Sequence, residues 1–326
     1  MSAPESILVT RLSALGDVVL ASGVASALRE RFPSARVEFL SQEPHGRILR
    51  WVRGLDAVHL WSPPAPPPEG ALAREWDVVV DLSATSRSRR LLHAVRAARL
   101  LRVKKQVLRR FAFVRLRGLG ASSRGLVSVL DRLFATVATL GVTRDGRRPR
   151  LDVPAPPADG PVLIAPGAGR ATKRWPAARF AELVRRLASE DGERVVIAGA
   201  ASERALLDAV AGGTPTAEVL CVADPAELPP AISRCPLAVT NDSGLLHVAE
   251  ACGADVVAVF GPTHPALGFA PASPGSVVVR TGISCSPCDL HGPEVCPKGH
   301  HRCMEDVSVE RVLAEVRARR PSPVRA

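Results

Sequence analysis

Short β-rich apolar runs alternate with helix-like stretches along most of this chain, and that alternation restricts it to a parallel-sheet α/β architecture. The C-terminal half reads strand Val162–Ala165, helix Ala177–Ser189, strand Arg194–Ala198, helix Ser202–Ala211 and strand Glu218–Val222, then helix Pro225–Cys235, strand Leu237–Thr240, helix Gly244–Cys252 and strand Val256–Phe260. Parallel strands must be joined by a long crossover, usually a helix. Strict alternation therefore predicts a doubly wound sheet. The N-terminal half begins alike. Strand Ser6–Thr10 leads through Leu15-Gly16-Asp17 to a helix in which Val19, Leu20, Val24, Ala27 and Leu28 recur at helical spacing up to Arg31. Strands at Arg36–Leu40, Val58–Trp61 and Asp77–Asp81 follow, and a helix from Leu126 to Leu140 is ended by Gly141.

Two proline-rich stretches interrupt the pattern. Ser62–Gly70 lies between two strands and reads as a surface loop, whereas Val153–Pro161 precedes a fresh strand-helix series and reads as a semi-rigid connector. The boundary falls near residue 155. The expectation is two Rossmann-like domains, 1–155 and 156–326, with ligands in the cleft facing the carboxyl ends of both sheets.

Two turns in the second half carry the chemistry. Pro166-Gly-Ala-Gly-Arg-Ala-Thr-Lys-Arg-Trp-Pro176 follows one strand, and Asn241-Asp-Ser-Gly-Leu-Leu-His247 follows another. At a strand-to-helix turn the first helical N–H groups lack intrahelical partners and the helix dipole places partial positive charge there. Glycine lets a phosphate approach that backbone closely. With Lys173 and Arg174 on one turn and Asp242 and His247 on the other, the pair suggests a nucleotide diphosphate beside a polyol; the alternative is two ordinary turns with a solvated lysine. Glu203, after Ile197–Ser202, makes with Ser202 a plausible helix start.

At 326 residues, 46% apolar and 4% aromatic, the chain is globular and long enough for two domains. Its net charge of +11 is concentrated. From Leu82 to Leu130 there is no acidic residue, yet thirteen basic ones occur: Arg87, Arg89, Arg90, Arg96, Arg99, Arg102, Lys104, Lys105, Arg109, Arg110, Arg115, Arg117 and Arg124. Such a segment attracts polyanions: a phosphorylated glycolipid, an anionic membrane surface or nucleic acid. The last is disfavoured, because the chain has no tyrosine and only Phe111 and Phe113 interleave with the arginines. A solvated arginine-rich face is the plain alternative. No signal-peptide pattern or 18-residue apolar run is present, so the expectation is a cytoplasmic protein.

Seven cysteines, an odd number, fit a reducing compartment. Four of them, Cys285, Cys288, Cys296 and Cys303, are spaced C-x2-C-x7-C-x6-C with His291, His300 and His301 interleaved. Structural zinc, reduced thiols lining a loop, or a disulfide all suit that spacing. Cys221, Cys235 and Cys252 read as core residues.

Taken in order, Gly16-Asp17, the Pro-Gly-Ala-Gly to Lys173-Arg-Trp-Pro176 segment, Asn241-Asp-Ser-Gly-Leu-Leu-His247, Val259-Phe-Gly-Pro-Thr263 and the Cys285–Cys303 tail resemble the ADP-heptose:lipopolysaccharide heptosyltransferases, glycosyltransferase family 9. The wording of these blocks leans towards the second heptosyltransferase. The resemblance implies a GT-B architecture, an N-terminal domain for the acceptor, a C-terminal domain for the nucleotide-sugar, and inverting transfer of heptose from ADP-L-glycero-D-manno-heptose to the lipopolysaccharide inner core with no required metal cofactor. It implies Asp17 as catalytic base and Lys173, with the N–H groups of Ser243 and Gly244, as neutraliser of the leaving diphosphate. Gly167, Gly169, Glu203, Asp242 and His247 complete the expected donor site. Arg87, Arg89 and Arg90 are the expected acceptor contacts, meeting the phosphates and Kdo carboxylates of Kdo-lipid A at the cytoplasmic face of the inner membrane. A different nucleotide-sugar or acceptor within the family is the alternative. The final helix, Ser308–Arg319, is expected to cross back to the N-terminal domain.

Overall fold

In a computed structural model, which describes residues 3–116 and 122–320, the chain forms two compact units. The first comprises residues 1–106, 128–152 and 224–226; the second comprises 107–127, 153–223 and 227–326.

The first unit is built on five parallel strands: β1 (Ser6–Thr10), β2 (Arg36–Gln42), β3 (Ala57–Trp61), β4 (Glu75–Asp81) and β5 (Arg96–Arg102), in the order β3-β2-β1-β4-β5. Helix Leu15–Arg31 is buried on nearly every side, which explains why its apolar residues make no narrow stripe. Gly23 in it lies against Pro149, where a Cβ would stand 3.3 Å from the proline nitrogen. Leu126–Leu140 shortens to helix Val129–Val137 plus one 3-10 turn, and Gly141 takes φ 73° to end it, a conformation that glycine adopts without penalty.

Strand β5 lies inside the basic segment and was hidden by it. Its exposure alternates residue by residue, as a half-covered edge strand requires. Cations on an edge strand block pairing with another chain, so Arg96, Arg99 and Arg102 have a structural use, and Arg102 also meets the fully buried Asp81 at 2.9 Å. Arg117, counted in the basic segment, lies outside the described residues.

The second unit has six parallel strands: β6 (Val162–Ala165), β7 (Val195–Ala200), β8 (Ala217–Val222), β9 (Leu237–Asn241), β10 (Asp255–Val259) and β11 (Val277–Val279), in the order β11-β10-β9-β6-β7-β8. The three-residue β11 is too short for a sequence pattern to reveal. Helix Ala177–Ser189 buries Phe180, Leu183, Val184 and Leu187 against Trp175, which it meets edge-on at 4.9 Å between ring centroids of Trp175 and Phe180. Helix Val309–Arg319 joins this same core through Val309, Val312, Leu313 and Val316, and Arg317 pairs with Asp191 and Glu190 at 2.9 Å. These apolar contacts and ion pairs are made within the second unit. Cys221, too, is only partly buried, on the outer strand β8, while Cys235 and Cys252 are core residues as expected. Among the described residues no helix is long and apolar enough to cross a membrane.

Candidate functional site

Each sheet reverses its winding direction once. In the second unit β6, β7 and β8 run outward one way and β9, β10 and β11 the other, so the reversal falls between β6 and β9. In open α/β sheets ligands bind outside the carboxyl ends of the strands at such a point. The two turns singled out in the sequence leave from these two strands.

Asn241 binds the turns together. Fully buried at the end of β9, it accepts the backbone N–H of Trp175 on Oδ1 (3.0 Å) and donates from Nδ2 to the Pro166 carbonyl (2.7 Å), so one amide fixes both ends of the Pro166–Pro176 loop. Lys173 ends a 3-10 turn, Ala171–Lys173, with its ammonium 2.7 Å from Asp242 Oδ2. The same oxygen accepts the hydroxyl of Thr263, also at 2.7 Å, from the loop that follows β10. Three loops thus converge on one carboxylate.

Ser243 caps helix Gly244–Ala251 in an extended conformation, yet its side chain makes no capping bond, and its hydroxyl oxygen is buried with no hydrogen-bond partner. A cap residue normally accepts an N–H two or three places on. Here the helix N-terminus keeps its donors beside a lysine and an uncommitted hydroxyl. His247, one turn in and buried, has Nδ1 3.9 Å from Glu250 Oε2 and its ring 6.4 Å from that of Phe269. Glu250 in turn accepts the N–H groups of Ala272 and Ser273 at 2.7 Å. Gly169 has open space where a Cβ would be, but a Cβ at Gly167 would collide with the Glu203 carboxylate. Glu203 accepts the Ala200 N–H at 3.1 Å, so its carboxylate lies over Gly167 and Gly199 beside the first turn.

In the first unit the reversal falls between β1 and β4. A pocket of about 280 Å³ opens there, lined by Arg11, Leu12, Ser13, Ser83, Thr85, Ser86, Arg87 and Lys105. Asp17, in the first turn of helix Leu15–Arg31, is held by Arg11 at 2.6 Å. His45 senses Asp17: burial pushes its imidazole below the usual range, and the Asp17 charge acts the other way. Arg87 lines the pocket and donates to Gln42 Oε1 at 3.0 Å, whereas Arg89 and Arg90, exposed on the same helix Ser86–His93, do not line it.

Sequence reasoning brought Lys173, Asp242, Ser243 and Gly244 into one place. It gave no role to Thr263 or Arg11, and none to Asn241 beyond its place at the start of the second turn. Each of these three sits at or just after the end of a strand flanking or adjoining a reversal point, a signal that needs the strand order to be read.

Residues 135–294 match the family described as glycosyltransferase family 9 (heptosyltransferase). Over those residues the chain carries a glycosyltransferase family 9 domain. It is 36% identical over 90 residues to lipooligosaccharide heptosyltransferase 2 of Campylobacter jejuni serotype O:6, a stretch covering 26% of each chain. It is 33% identical over 154 residues to lipopolysaccharide heptosyltransferase 2 of Escherichia coli K12, covering 45% of this chain and 42% of that protein. The matched stretches thus span less than half the length of these curated relatives. The fold is that of E. coli heptosyltransferase WaaC with ADP, at a TM-score of 0.75 and 18% identity over 96% of this chain and 99% of that one. These are two doubly wound units of the GT-B type.

The cysteine tail abuts the lysine turn. His301 Nε2 is 2.7 Å from the Thr172 carbonyl, and the Thr172 hydroxyl donates to Pro293. All four tail thiols, with His300 and His301, line a small pocket of about 20 Å³, and Cys285 Sγ is 3.8 Å from His300 Nε2. Among the described residues no three such groups are arranged as the ligands of a metal ion. Burial pushes Cys303 up to about 12 and raises Cys288. Burial opposes ionisation of Cys296 as well, but the N–H groups of His301, Lys298, His300 and Gly299 face its sulfur and bring it below the ordinary thiol value.

Proposed function

We propose that this chain is an inverting glycosyltransferase that moves heptose from ADP-L-glycero-D-manno-heptose to the inner core of lipopolysaccharide. The observation that carries the reading is the group formed by Lys173, Asp242 and Thr263 at the head of helix Gly244–Ala251, next to the buried hydroxyl of Ser243. Preorganised donors aimed at developing charge are usually the largest catalytic contribution. Lys173 and the amides of Ser243 and Gly244 neutralise the leaving diphosphate, so the chemistry needs no metal cofactor. Asp242, which holds Lys173 in the structure, exchanges that contact for the phosphates and sugar hydroxyls of the donor. Gly169 gives the diphosphate room at the first turn; Gly167 serves by admitting Glu203, whose carboxylate is then at hand for the ribose. His247 supports the donor turn from within its helix.

In the first unit Asp17 is the base that takes the proton of the acceptor hydroxyl as it attacks the anomeric carbon. Arg87, in the pocket, and Arg89 and Arg90 on the same helix meet the anionic groups of a phosphorylated Kdo-lipid A acceptor. The relatives' names favour the second heptose addition, and the protein then works at the cytoplasmic face of the inner membrane, with residues 1–155 serving the acceptor and 156–326 the nucleotide-sugar.

Calorimetric titration with ADP, UDP and GDP, followed by transfer from ADP-heptose to lipid A bearing Kdo alone or Kdo plus one heptose, tests this. Selective ADP binding with turnover on the heptosylated acceptor supports it. Preference for another nucleotide overturns the donor, and turnover on the Kdo acceptor alone moves the protein to the first heptose addition.

A further inference from the structure

Of the seven large apolar side chains that stand exposed among the described residues, six lie within the acid-free stretch: Leu100, Val107, Leu108, Phe111, Leu116 and Val127. Four of them are concentrated at helix Val107–Arg115 and the residue after it. This helix has a buried side and an exposed side. Arg110, Phe113 and Val114 are buried, with Phe113 and Val114 packed on Leu267 and Phe113 set edge-on to His264 at 5.2 Å. At 100° per residue, Leu108 and Phe111 fall on average about 140° round from the centre of the buried side, while Val107 lies at its margin beside Val114 and is still exposed. Leu108 is 84% exposed, more than any other large apolar residue described.

We propose that this outer face is a membrane-docking surface that inserts Val107, Leu108 and Phe111 into the interfacial region of an anionic bilayer. Charge complementarity selects the occupant. Arg109 and Arg115 are exposed on the same helix, Lys104 and Arg124 flank it in the sequence, and no carboxylate occurs between Leu82 and Leu130 to repel anionic headgroups. Apolar residues set among cations on a surface helix are the arrangement by which monotopic helices bind such a surface. Nucleic acid uses the cations but gives no burial to a leucine side chain. The contacts of the buried face with Leu267 and His264 hold the helix in place, so insertion requires no folding on binding. The inference stands on this surface and not on the transferase reading, and its test contains no turnover.

Sedimentation of the full chain with phosphatidylcholine vesicles, with and without phosphatidylglycerol, is measured at low and physiological salt. Binding is expected only with the anionic lipid, and the double variant Leu108→Ser/Phe111→Ser should weaken it roughly tenfold or more while leaving the circular dichroism unchanged. Val295→Ser, which removes an equally exposed side chain outside the stretch (78%), should change nothing. Phe111→Trp should shift its emission to the blue when anionic vesicles are added. Binding that is indifferent to Leu108→Ser/Phe111→Ser and abolished by salt, an unshifted Phe111→Trp emission, or tighter binding to duplex DNA than to vesicles would each overturn the proposal.

Discussion

Asp17 and Asp242 occupy comparable places in the two units, each at a strand-to-helix turn beside the reversal point of its sheet, and each meets a cation, at 2.6 and 2.7 Å. Their surroundings differ. Asp242 also accepts the Thr263 hydroxyl, and the residue before it clamps the loop that carries its lysine. Among the described residues Arg11 is the only ion-pair partner of Asp17, and the two side chains keep 14% and 18% exposure. A carboxylate bound into three loops can be altered only by disturbing them. One held by a single arginine can change its partner without moving the fold. The comparison teaches that the second unit ties its aspartate into three loops, whereas the first leaves its aspartate with one ion-pair partner among the described residues.

The largest expected effect is therefore at the less embedded aspartate. Asp17→Asn should lower kcat by about 10²–10⁴, the usual contribution of a positioned general base, with ADP affinity and melting temperature unchanged. Steady-state kinetics beside calorimetry would show this, and full turnover in the variant would remove Asp17 as the base. Lys173→Ala comes next, with a loss of about 10²–10³ in kcat/KM, the scale seen when a preorganised charge-stabilising donor is deleted. Unlike Asp17→Asn it should also weaken ADP binding and lower the melting temperature, because Asp242, 9% exposed, is left without its cation. If the two variants behaved alike in both respects, the contrast drawn between the units would collapse.

Asn241→Ala sharpens the same contrast without touching a charge. It leaves the Trp175 N–H without its acceptor and the Pro166 carbonyl without its donor, at a cost of about 1–3 kcal/mol per buried unpaired group. Denaturant melts should show that loss, and ADP affinity should fall with it because the lysine turn is no longer pinned at both ends. A stable variant with normal ADP affinity would show that Asn241 is not the clamp.

How far the sequence could be read differs along the same line. Strands such as Ser6–Thr10 and Val162–Ala165 were legible because buried parallel strands are continuous apolar runs, and Lys173 and Asp242 were legible because glycine-bearing turns mark helix starts. Strand β5 was not, since an edge strand carrying Arg96, Arg99 and Arg102 has the composition of a solvated helix. The apolar stripe of the closing helix, Val309, Val312, Leu313 and Val316, fits any apolar surface, and only the three-dimensional contacts show that it joins the core of the second unit. Thr263 and Arg11 acquire meaning from strand order, which pairs β10 with β9 and β4 with β1 and has no local sequence signature.

The smallest expected effect reads the cradle from behind. All seven cysteines lie in the second unit, so thiol labelling reports on that unit alone. Cys296 is lowered by the ring of N–H groups at its sulfur, whereas Cys235 is pushed up to about 11 and Cys252 and Cys303 to about 12 by burial. Since the thiolate is the nucleophile, iodoacetamide near neutral pH should modify Cys296 well ahead of those three, as mass spectrometry would show. The tail that carries Cys296 meets the lysine turn through His301 and Thr172, so ADP should slow the labelling by about a few-fold if it orders that turn. The same ADP should leave the reactivity of a cysteine introduced at exposed Arg89 unaltered, because that position belongs to the other unit. Labelling of Cys296 that begins only after a chelator is added would show instead that a metal ion occupies the four thiols, and the cradle would then be braced by coordination as well as by Asn241.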